Sequence, residues 1–260
     1  MYLKILRETL NWKIFIIVLL VLGFFSGCSS LNIFSKKEIV RNTPESLYAR
    51  GAAEFQKTTF FFYHDYKKAR EYFTRVKEEY PLHNLAILAE IGIADSYYSD
   101  KEYAEAENAY SDFIILHPNN ENVPYALYQI GMCNYNQIEA IDRDQTAAIK
   151  AKKEFEKLVS RYPDSRFSAM AEKMIRECKQ KLAEQEFYVG RFYFIQKKYQ
   201  AALARFEAIA RDYANIGLDY KVEYFINETK AKIAEEEKLK KTAEEKLKKA
   251  QQEKSKTAKK

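Results

Sequence analysis

Three cysteines and three histidines are the side chains of this chain best suited to nucleophilic, redox or metal-binding chemistry, and their spacing limits what they can do. His64, His83 and His117 form neither an HxxxH nor an HExxH pair, so no helix offers two imidazoles to one metal. There is no glycine-rich phosphate loop and no GxSxG elbow. Cys133 and Cys178 lack a CxxC partner and sit in apolar, helix-forming sequence; they read as buried free thiols, with a disulfide the open alternative. Carboxylates are abundant but scattered over charged stretches such as Glu235-Glu236-Glu237, which reads as a solvated helix face. These residues predict no catalytic, metal or cofactor site, and so a binding protein rather than an enzyme. The rival from the enzyme class is a hydrolase whose site is assembled across separate segments.

Cys28 is different, because its context is chemical. A basic stretch ends at Lys13, Ile14–Leu22 is uninterrupted apolar sequence, and Gly23-Phe24-Phe25-Ser26-Gly27 leads into Cys28. Ile14–Phe25 is short for a bilayer span, which needs about 20 apolar residues. Small residues before a cysteine resemble the bacterial lipobox, with Phe25 where leucine is usual. On that reading residues 1–27 are a signal peptide, Cys28 is lipidated at the mature N-terminus, and 28–42 is a tether. An ordinary signal peptide or an uncleaved anchor are the alternatives. Ser29, rather than aspartate, follows the cysteine, which by resemblance to Gram-negative sorting favours the outer membrane.

The elements that must position any binding residues are read from a recurrence. Ala69–Phe73–Pro81, Ala106–Tyr110–Pro118 and Ala151–Phe155–Pro163 share one spacing, and Ala202–Phe206 repeats it with Ala214 at the proline slot. Such a long-range recurrence marks copies of a helical unit that cannot bury its apolar face alone. The alanine admits a close neighbour, the aromatic fills the gap one turn later, and the proline stops the helix. Upstream of Ala202, Val189-Gly190 and Tyr193 stand where the first helix of a 34-residue helix–turn–helix repeat belongs, and Ile93-Ala94 with Tyr97 precede Ala106 similarly. The fold class is therefore all-α, a solenoid of four to five helical hairpins resembling tetratricopeptide repeats, over residues 43–231.

With Gly51 and Gly131 as the small first-helix residues, repeats one and three carry about six and eight extra residues, holding Thr58–Tyr63 and Ile141–Gln145. Phe60-Phe61-Phe62-Tyr63 is expected to cap the end of the stack. On this register Tyr48 and Phe55, Tyr98, and Tyr125, Tyr128 and Tyr135 form an inner wall of first helices, suited to an extended peptide. Packing between repeats is the other reading for each of them. Asp219–Ala231 is the expected first helix of a fifth repeat, followed by a lysine/glutamate tail over 232–260.

The net charge of +6 is concentrated at the ends: +2 over residues 1–27 and +5 over 232–260, leaving about −1 between them. The repeat region thus gives nucleic-acid binding no electrostatic support.

Ile141-Asp142-Arg143-Asp144-Gln145-Thr146, Ala151-Lys152-Lys153-Glu154-Phe155 and Leu158–Ser165 closely resemble the BamD family, and the likeness continues through Leu182–Glu186, Val189–Tyr193 and Tyr199–Phe206. That resemblance implies a lipoprotein of the outer-membrane β-barrel assembly machinery, facing the periplasm. It implies binding to the POTRA region of BamA, contact with other subunits of that complex, and delivery of unfolded barrel proteins whose C-terminal signal docks on the N-terminal repeats. Carried onto this chain, the tyrosine wall is the substrate groove, and Asp142, Arg143, Asp144, Arg161 and Arg205 face BamA. Arg205 has an intramolecular ion pair as its other reading. A generic periplasmic scaffold, associated with pilus assembly or peptidoglycan, is the alternative within the binding class.

Overall fold

The computed structural model describes residues 42–57 and 65–257, with side chains as far as Gln252. Cys28, the tether up to residue 41 and the Phe60–Tyr63 run lie outside the described residues.

Nine α-helices and no strand occur among the described residues: α1 (Pro44–Gln56), α2 (Tyr66–Glu79), α3 (Asn84–Ser99), α4 (Tyr103–Leu116), α5 (Val123–Tyr135), α6 (Thr146–Arg161), α7 (Arg166–Ile195), α8 (Tyr199–Asp212) and α9 (Asp219–Thr257). Each packs chiefly on its chain neighbours, and α1 also meets α3 as α5 meets α7. This is a stack of antiparallel hairpins, the all-α repeat solenoid expected from the recurrence.

The hairpins are held by one repeated contact. A Cβ built on Gly51 would come within 2.8 Å of the Phe73 ring, on Gly131 within 2.4 Å of Phe155, and on Gly190 within 2.6 Å of Phe206. The first helix of a repeat therefore lies against the aromatic of its second helix with no room for a methyl group. Gly92 of α3 closes on the opposite side of Phe73, also at 2.8 Å, so one ring is clasped by two repeats. In repeat two the small partner is Ala94, and both it and Tyr110 are fully buried.

The helix ends follow from local chemistry. Thr43 accepts from Ser46 N ahead of Pro44 at the first turn, and Asp65 accepts from Lys68 N. Tyr80, His117 and Tyr162 end α2, α4 and α6 with φ near −130° (−135°, −129° and −136°), just before a proline. Tyr213 ends α8 with φ −132°, although Ala214 follows it. The same exit without the ring shows that proline reinforces this cap but is not needed for it. Asn215 (φ 63°) and Gly217 (φ 88°) then carry the turn into α9.

Two helices exceed a repeat's needs. Only the second half of α7 was expected as a first helix of repeat four, yet it runs for 30 residues, about 45 Å at 1.5 Å per residue. Strong helix formers fill Arg166–Glu186 and no proline interrupts them, so nothing ends the helix between repeats. Its first half supplies Ala171, Met174 and Cys178 to the core of repeats two and three, and its second half supplies Ala183 and Phe187 to a separate core with α8 and α9. Likewise α9 continues for 39 residues straight through Ala231. Val222 and Thr229 are buried, whereas Leu239 and Leu247 are exposed, so its latter part projects without a second helix against it among the described residues. Cys133 and Cys178 are free and buried, and burial pushes their thiols up to about 12 and about 11.

Gly131→Val is expected to destabilise the fold by about 1–3 kcal/mol through overpacking against Phe155, read as a thermal midpoint several degrees lower with helical content otherwise intact. An unchanged midpoint would show that this contact does not govern hairpin closure.

Candidate functional site

The first helices of three repeats converge on an open cleft of about 370 Å³. Tyr48 and Phe55 come from α1, Leu88, Ile91, Gly92 and Asp95 from α3, and Tyr125 from α5. Arg166 and Phe167 at the start of α7 close its far side. The walls are built by ring contacts: Tyr48 tilts on Phe73 at 5.4 Å and Tyr125 on Phe167 at 5.4 Å between centroids. These rings hold one another beside the cleft, at low rotamer cost.

Asp95 is the polar centre of this wall. Tyr110 Oη donates to its Oδ1 at 2.5 Å and Tyr125 Oη donates to the same oxygen at 2.7 Å. Gln129 in turn donates to the Tyr125 hydroxyl at 2.9 Å. Burial raises the Asp95 carboxyl above its ordinary range, opposed by the two tyrosine hydrogen bonds. Burial first, and the Asp95 charge second, push the phenols of Tyr48, Tyr110 and Tyr125 upwards, so all three stay neutral donors. Arg166 is exposed at the rim with its guanidinium 4.7 Å from the Phe167 ring centroid.

The structure divides the six wall residues. Tyr48, Phe55 and Tyr125 share the cleft, and Tyr98, Tyr128 and Tyr135 do not line it. Tyr128 packs on Phe155 and Phe167. Tyr98 stacks edge-on with Tyr103 and accepts from Asn136 at 2.7 Å. The Tyr135 hydroxyl donates to Glu177 at 2.7 Å, and burial together with that carboxylate pushes it up to about 12.

The five charged residues do not form one patch. Asp142, Arg143 and Asp144 are exposed on the loop between α5 and α6. Gln145 is buried beneath them and pins the loop by donating to the carbonyls of Ala140 and Arg143. Asp144 accepts from the backbone and hydroxyl of Thr146, the first residue of α6. Arg161 stands at the other end of α6, about 24 Å away by helix rise. Arg205, on α8, donates through one nitrogen to both oxygens of Glu186, at 3.1 and 2.8 Å. A second, more apolar cleft of about 470 Å³ adjoins the loop, where Ile141 meets Tyr188, Phe192 and Ile195 of α7 and Leu218, with Arg191 and Lys221 at its edge.

Sequence reasoning missed Asp95, Arg166 and Phe167. Asp95 carried a signal: in α3, Asn84–Ser99, it and Glu90 are the only carboxylates in a mostly apolar helix. Arg166 and Phe167 carried none, because the cleft acquires them through the packing of α7.

Residues 38–252 match the family described as YfiO: Outer membrane lipoprotein. Among curated proteins, the chain is similar to the outer membrane protein assembly factor BamD of Rickettsia prowazekii, 31% identical over 148 residues, covering 57% of this chain and 59% of that protein. It is also similar to BamD of Caulobacter vibrioides, at 29% over 165 residues, covering 64% and 52%. BamD of Vibrio cholerae matches at 25% over 206 residues, covering 75% and 81%. The chain thus spans little more than half the length of the Rickettsia and Caulobacter proteins.

Because folding raises the Asp95 carboxyl, the native state binds a proton more tightly than the unfolded chain. Stability should then fall as pH rises through the window beginning near the ordinary value of 3.8. Asp95→Asn is expected to remove that decline, leaving a flatter midpoint-against-pH curve and higher stability at neutral pH; the same slope in both proteins would refute the assignment.

Proposed function

The chain belongs to the YfiO family of outer membrane lipoproteins, and on that footing we propose that it is a non-enzymatic scaffold of outer-membrane β-barrel assembly. It is held at the periplasmic face of the outer membrane by acyl chains on Cys28. Its N-terminal cleft takes extended segments of unfolded barrel proteins, and its C-terminal half docks on the POTRA region of BamA within the assembly complex. The named role of its relatives, outer membrane protein assembly factor, supports this reading.

The observation that carries it is the cleft that joins Tyr48 and Phe55 of the first repeat, Asp95 of the second and Tyr125 of the third. A barrel strand alternates apolar and polar side chains. A wall of amphipathic rings around a lone carboxylate suits such a strand while it is still unpaired, through side-chain pockets at alternate positions. Nothing in the cleft needs to transform what it holds. For the partner side, Asp142, Arg143 and Asp144 present charge beside the apolar cleft at Ile141, Phe192 and Ile195. An apolar centre with a charged rim is the composition of a protein interface. Arg161 and Arg205 lie on other parts of α6 and α8, so BamA would have to engage an extended surface to reach all five.

Tagged full-length protein, extracted from membranes in detergent, should bring down BamA in stoichiometric amount; recovery of pilus-assembly proteins or cell-wall fragments in its place would overturn the proposal. Arg205→Glu should weaken that capture with helical content retained. Its pair with Glu186 is partly exposed, and exposed pairs contribute about 0–1 kcal/mol. The double exchange Arg205→Glu with Glu186→Arg restores the internal pair. If Arg205 faces BamA, capture stays low in the double variant; full recovery would mean that its role is internal.

A further inference from the structure

Resting on the peptide-binding reading of the N-terminal cleft, we propose that this cleft selects a lysine or arginine side chain of the bound segment, with Asp95 as its counter-ion. Both tyrosine hydroxyls that reach Asp95 bond to Oδ1, and Oδ2 accepts no hydrogen bond from any described residue. No lysine, arginine or histidine among the described residues lies within ion-pair distance of Asp95. Arg166 lines the same cleft, yet it lies over the Phe167 ring and makes no ion pair among the described residues. The carboxylate is therefore half-buried, hydrogen-bonded on one oxygen by neutral donors and left without compensating charge.

A charge partly withdrawn from water gains from a counter-ion, because neutral hydrogen bonds leave the monopole itself uncompensated. Here the open side of that charge is the cleft, where a bound chain would enter. Leu88 and Ile91 provide the apolar wall beside Asp95. The stem of a lysine or arginine covers such a wall while its head reaches the carboxylate. The aromatic rings of Tyr48, Phe55 and Tyr125 then take the apolar neighbours of that basic residue. The cleft is thus selective for a basic residue among aromatics, and it rejects a glutamate at the same place by direct repulsion.

The test uses full-length protein in detergent and short fluorescein-labelled peptides of alternating aromatic and small polar residues, identical except for lysine, norleucine or glutamate at the central position. Norleucine keeps the stem and removes the charge. Wild type should bind the lysine peptide about tenfold more tightly than the norleucine peptide, as befits a hydrogen bond to a charged group, and the glutamate peptide least. Asp95→Asn should bring lysine and norleucine to parity. Tyr125→Phe, which disturbs the same network but keeps the charge, should retain the lysine preference. Equal binding of lysine and norleucine by wild type, or loss of the preference in both variants alike, overturns the counter-ion role and leaves the peptide cleft standing. Failure of every peptide to bind overturns both.

Discussion

Everything in this protein depends on how closely two helices of a hairpin approach. Gly51 on Phe73, Gly131 on Phe155 and Gly190 on Phe206 bring backbone against ring, with no methyl group between them. A larger residue would push the first helix outwards and change its angle to the next repeat. Because each repeat contacts only its neighbours, such a change is transmitted along the stack rather than absorbed in a common core. Phe73, held from both sides by Gly51 and Gly92, makes the point within a single ring. It fixes α1 against α3, and those two helices supply most of the N-terminal cleft.

The cleft inherits its chemistry from that arrangement. Close packing leaves the first helices side by side on one wall, so side chains distant in sequence share a small volume. Asp95 of α3 meets Tyr110 of α4 and Tyr125 of α5 in this way. The carboxylate orients two phenols, and the phenols keep its position while leaving it without a counter-charge. Farther along the stack, α7 links two cores that would otherwise belong to separate repeats. A helix of 30 residues bends little compared with a loop. The relation between the N-terminal cleft and the C-terminal surface near Ile141 is therefore set by a single stiff element.

Much of this was legible beforehand, for reasons that differ by residue. Ala69, Ala106, Ala151 and Ala202 with their aromatics were readable because the stack repeats one packing problem, and one problem selects one set of residue types. The free thiols of Cys133 and Cys178 were readable from apolar context. The inner wall was only half readable. Tyr48, Phe55 and Tyr125 face the cleft while Tyr98, Tyr128 and Tyr135 meet neighbouring repeats. Helical register places all six on first helices but does not say which neighbour covers each. Arg205 shows the same limit, since its contact with Glu186 joins α8 to α7 across the hairpin.

By itself, the sequence determined the helical class, the repeat spacing and the small-residue contacts, because these arise from local periodicity and from steric limits that recur in each copy. It also determined that α2, α4, α6 and α8 stop where they do, through tyrosine or histidine caps at equivalent positions. Only the tertiary structure decided the membership of the cleft and the lack of a counter-charge at Asp95. Those depend on which helices lie beside one another in the stack, and burial of a charge is a property of the neighbours that surround it rather than of the residue or its place in the chain.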